Sequence, residues 1–153
     1  MSKRTDTASR LIHASPEAIY RALTDADMLV QWLPPTGMTG EFVAFDPRPG
    51  GRYRMILRYD DKAAVGKSGG NEDIAEARFV ELVPNERVVQ AIDFTSADPK
   101  FQGTMTMSTL LTSHGDDTEV RFVAENVPEG ISAADHAEGM AASLRNLAGL
   151  LEA

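Results

Sequence analysis

The side chains able to do chemistry are scattered along this chain rather than gathered. Histidine occurs three times, at His13, His114 and His136. These positions show no HxH or HxxxH spacing, so no metal site is expected. His114 falls in a turn, and His136 lies in the first turn of a long C-terminal helical segment, facing either a cavity or solvent. Gly66-Lys67-Ser68 has the ending of a phosphate-binding loop. Asp61, however, stands where that motif needs its first glycine, and no helix signal follows, so a solvated loop is the better reading. Cysteine is absent, which removes thiol nucleophiles, disulfides and thiolate metal sites. There is no Gly-x-Ser-x-Gly elbow. Asp93 and Glu125 sit in strand-like segments with one buried face, and both read as outward-facing carboxylates. No acid–base pair and no cofactor motif is visible, and the reading leans away from an enzyme.

Another set of residues points to binding. Trp32, Tyr53, Tyr59, Phe79, Phe94, Met105, Met107 and Met140 are large and mostly apolar, and each alone fits a plain core. As a group, with His136, they suit the wall of an apolar pocket: methionines adapt their shape and tyrosines bring polar tips.

The elements that must position these residues follow from pattern. Residues 6–14 are strand-compatible. Ser15-Pro16-Glu17 starts a helix, with serine as N-cap and proline at the first helical position. Ile19, Ala22 and Leu23 continue it to Asp25, and a second short helix over 26–33 ends at Pro34-Pro35. From Gly40 to Pro128 the chain reads as strands: 41–46, 52–59, 74–83, 87–95, 101–112 and 118–125. Residues 52–59 alternate most clearly, with Tyr53, Met55, Leu57 and Tyr59 opposite Arg52, Arg54 and Arg58. Residues 60–73 form a long polar, Gly-rich loop, expected to be mobile and near a cavity mouth. His114-Gly115-Asp116-Asp117 closes a hairpin.

The last segment is a helix over 132–152, capped by Ser132, with Asp135 in its first turn. Its apolar stripe runs Ala133, Ala137, Met140, Ala141, Leu144, Leu147, Ala148 and Leu151. It is the one element able to cover a sheet of this size. The predicted fold is α+β: a curved antiparallel sheet of about seven strands around a long C-terminal helix, with two short helices after the first strand. Nothing divides the 153 residues, and a single domain over 1–153 is expected. A curled sheet closed over a helix rich in small residues leaves room for a cavity.

The stretches SPEAIYRALTDADMLVQWLPP, FDPRPGGRYRM, FVELVPNERVVQ, FQGTMTMSTLL, GDDTEVRF and EGMAASLRNLAGLLEA carry a resemblance covering nearly the whole chain. It is similar to the activator-of-heat-shock-protein-ATPase homologue branch of the START-like, or polyketide-cyclase (SRPBCC), superfamily. The resemblance implies the helix-grip fold with an internal pocket. It also implies, as an alternative role, docking of a chaperone on the outer sheet face. Met140 stands where such proteins often carry Trp, which alters the cavity wall.

Net charge is −8. That balance argues against nucleic acid or an anionic membrane surface as partner, and no apolar run reaches the ~20 residues that span a bilayer. The expected partner is therefore a small hydrophobic, aromatic or lipid-like molecule, held without cofactor by a cytoplasmic protein. A cyclase- or hydrolase-like enzyme in the same cavity is a further alternative.

Overall fold

A computed structural model describes residues 4–34, 37–59, 72–94 and 103–152. The expected mobile loop therefore lies outside the described residues except for its last two. The elements in chain order are β1 (Arg4–Ile12), α1 (Pro16–Thr24), α2 (Ala26–Trp32), β2 (Met38–Phe45), β3 (Arg52–Tyr59), β4 (Glu72–Val83), β5 (Arg87–Phe94), β6 (Gly103–His114), β7 (Asp117–Val127) and α3 (Ala133–Leu151).

All seven strands form one antiparallel sheet in the order β1-β7-β6-β5-β4-β3-β2. β2 to β7 are a simple meander, and β1 returns to pair with β7. Thus β1 and β2, neighbours in sequence, are opposite edges of the sheet, and α1 and α2 carry the chain between them. This is the helix-grip architecture: a curved sheet with a long C-terminal helix on its concave side.

Local chemistry sets the helix starts. Ser15 and Ser132 are extended residues whose hydroxyls accept the amides of Ala18 at 3.1 Å and Asp135 at 3.0 Å. Asp25 caps α2, accepting from the amides of Asp27 and Met28. Strand ends follow partners instead. β1 stops at Ile12, before the expected residue 14, because the chain turns there, with the Ala14 amide donating to the Ile12 carbonyl. β6 and β7 extend one another to the pair His114–Asp117, and Gly115 (φ 64) makes the turn. In the β2–β3 turn Gly50 has φ 86, but Gly51 is required for space: a Cβ there would lie 2.1 Å from the Asp46 carbonyl oxygen.

The core lies between sheet and helices. Ile12, Ile19, Ala22, Leu23, Leu29, Trp32, Tyr53, Phe79 and Phe122 join Met140, Leu144, Leu147 and Ala148 of α3 in one buried cluster. The helix stripe is narrower than its alanines suggest. Ala133, Ala137 and Ala141 are exposed, and the leucines set the rotation of α3 because they hold most of the apolar area.

Candidate functional site

The long helix packs on the edge strand β1 and on α1 and α2. Between it and the central strands lies a cavity of about 330 Å³. The helices contribute Leu23, Leu29, Trp32 and, from α3, His136, Gly139, Met140 and Ser143. The α3 residues fall at i, i+3, i+4 and i+7, one face of a helix. The sheet contributes Tyr53, Val88, Gln90, Ile92, Met107, Thr109 and Phe122.

The wall is mainly apolar with a few polar tips. Trp32 shows only its ring to the space, since its indole N–H already donates to the Ala22 carbonyl at 2.9 Å. Tyr53 closes an aromatic cluster with Phe42, Phe45 and Phe79, at centroid separations of 5.6 to 6.4 Å. Burial pushes its phenol pKa up to about 12, so the group stays an O–H donor. The hydroxyls of Tyr53, Thr109 and Ser143 and the Gln90 amide have no side-chain hydrogen bond to any described residue. Neither Tyr53 nor Thr109 is sealed from water at its oxygen, because no buried polar side-chain atom among the described residues lacks a partner.

At one end of the cavity a charged network is built across 130 residues of sequence. His136 Nδ1 lies 2.8 Å from Asp6 Oδ2, and the two side chains are 15% and 11% exposed. Arg4 Nε donates to both Asp6 oxygens, at 2.9 and 3.1 Å, while its terminal nitrogen holds the Ile131 carbonyl just before α3. Burial alone would raise the Asp6 pKa. The hydrogen bonds from Arg4 and His136 outweigh it, and the carboxyl is held below its usual range. Among the described residues no group of acidic and histidine side chains could hold a metal ion.

The chain matches the family model described as Activator of Hsp90 ATPase homolog 1-like protein over residues 13–152. It belongs to that family. A crystal structure of a Chromobacterium violaceum protein is 30% identical with a TM-score of 0.84, and 97% of each chain is covered. A Rhizobium loti protein is 26% identical, TM-score 0.70, with 95% of each chain covered. A Rhodobacter sphaeroides protein shares the fold at 21% identity, TM-score 0.79, covering 97% of this chain and 91% of its own. None of the curated proteins matches the chain.

Within this Activator of Hsp90 ATPase homolog 1-like chain, the cavity brings together Trp32, Tyr53, Met107, Met140 and His136 of the residues expected on its wall. Phe79 and Met105 stand elsewhere. Phe79 is 1% exposed and packs edge-on against Phe45 behind Tyr53. Met105 lies further along β6, in a separate cluster with Ala124 and Val127. The side chains of Tyr59 and Phe94, at strand ends, lie outside the described residues. His136, read from sequence as facing either cavity or solvent, borders the cavity with its side chain 15% exposed. Asp93 and Glu125 are exposed; Asp93 pairs with Arg78 and accepts from the Thr104 hydroxyl. Sequence reasoning passed over Gln90, Thr109, Ser143 and Asp6. The first two had a signal: polar residues at inward positions of alternating strands, opposite Met107 and Phe122.

Proposed function

We propose that this protein binds a small, largely apolar or aromatic molecule of lipid or polyketide type between the sheet and α3. The observation that carries the reading is a cavity of about 330 Å³ walled by Trp32, Met107, Met140 and Phe122, where the side chains of Tyr53, Gln90 and Thr109 have no hydrogen-bond partner among the described residues. That volume sits at the lower end of the ~300–1,000 Å³ typical of ligand sites, which suits a compact ligand of one to three rings. Tyr53 supplies a donor and Gln90 supplies both donor and acceptor, enough to orient a ligand whose remaining surface is apolar. The family's fold commonly serves small ligands, which agrees with this reading.

The test is a screen of small hydrophobic compounds followed by amide chemical shifts. Ligands should perturb β5, β6 and the Met140 face of α3. Shifts confined to the exposed face carrying Arg54, with a chaperone captured there instead, would favour the docking role.

A further inference from the structure

The Arg4–Asp6–His136 network can be read as a latch tying the start of α3 to the sheet edge, and that role accounts for Nδ1. It does not account for the other nitrogen. An ionised carboxylate only accepts hydrogen bonds, so the proton of a neutral His136 sits on Nδ1 and points at Asp6. Nε2 then carries a lone pair. That atom has no partner among the described residues, is not sealed off, and belongs to a side chain on the cavity wall. The carboxylate behind the ring fixes its orientation and its tautomer, as second partners do for histidines that bind metals.

We propose that Asp6 and His136 form an acceptor site for the O–H group of the ligand, so that the pocket selects phenols and enols over their ethers. The inference rests on the cavity being the ligand site and adds which chemistry it recognises. A ligand with no O–H there would shut water away from the nitrogen and leave it unpaired, whereas a weakly acidic hydroxyl donates to it directly. One such hydrogen bond to a strong acceptor corresponds to a preference of roughly tenfold. Asp6 acts through His136 and is a positioning residue.

Three probes of one shape separate the outcomes: 2-naphthol, 2-methoxynaphthalene and 2-naphthoate, titrated calorimetrically into the whole protein. The naphthol should bind about tenfold more tightly than the ether. His136→Phe keeps a ring but removes the acceptor, and should erase that ratio. Asp6→Asn should reduce it a few-fold, and Arg54→Gln on the exposed face should leave it unchanged. Histidine ¹⁵N shifts should show the Nδ1–H tautomer, with Nε2 moving on addition of naphthol and not of ether. This readout holds even if His136→Phe fails to fold. Equal binding of naphthol and ether by the wild type overturns the acceptor site and leaves the pocket standing. Preference for naphthoate overturns it in favour of a charged imidazolium, and no binding by any probe removes the pocket reading as well.

Discussion

Replacing Met140 with Trp separates a cavity from a packed core. The Met140 side chain is 4% exposed, yet it borders about 330 Å³ of open space. The indole grows into that space, and each methylene-sized unit buried there returns ~0.8 kcal/mol. Imperfect fit costs ~1–3 kcal/mol. The two effects are comparable, so the melting temperature should stay within about 6 °C of wild type at 2–4 °C per kcal/mol. Ligand binding should respond far more. A ligand at a hundred times its Kd stabilises the wild type by ~2.7 kcal/mol, or about 5–11 °C. If the indole weakens binding a hundredfold, the same concentration stabilises the variant by only ~0.4 kcal/mol, a shift of about 1–2 °C. Scanning calorimetry with and without 2-naphthol measures both quantities. A full ligand shift in Met140→Trp would show that ligands bypass this wall. A loss above ~3 kcal/mol without ligand would show that Met140 is packed core.

Gly139→Ala should stabilise the fold by ~0.5–1 kcal/mol in thermal unfolding, since α3 gains a better helix former and the added Cβ meets nothing within 4 Å. Gly51→Ala should cost more than Gly115→Ala in denaturant titration: the first drives a Cβ into the Asp46 carbonyl, the second only imposes a left-handed φ of 64 on a turn open to solvent. Leu147→Ala, at a side chain 0% exposed and away from the cavity wall, should cost about 2–5 kcal/mol while leaving the ligand preference intact. The Asp6 pKa is lowered on folding, so its contribution is present above the unfolded value of 3.8 and fades as pH falls through the lower folded value. The stability gap between wild type and Asp6→Asn should therefore be level above about pH 5 and narrow below pH 4; a gap that widens in acid refutes the network as drawn.

The parts of this molecule legible in sequence are those decided within a few residues. Ser15-Pro16 and Ser132 mark helix starts because a cap is a bond to an amide three positions on, and the alternation of Tyr53 and Met55 against Arg54 marks β3 because the pleat has a period of two. Strand ends were less legible because a strand runs as far as its partner allows: β2 begins at Met38 because Tyr59 is there to pair with it. The rotation of α3 was blurred for a related reason, since alanine carries too little apolar area to say which way it faces. The site lies at the far end of this scale. His136 and Asp6 are 130 positions apart and meet only because β1 closes the sheet beneath the first turn of α3, so no spacing rule could join them. Yet Asp6 leaves a trace of the same kind as Gln90 and Thr109. It alternates with half-buried Arg4 and Ala8 and buried Ile12 on the inward face of its strand, where an apolar residue would be expected. A polar residue at such a position needs a partner, and among the described residues the fold supplies one for Asp6 but none for the side chains of Gln90 or Thr109. The residues left without one are those that face the cavity, and that is the physical ground for expecting a ligand to bring the missing polar atoms.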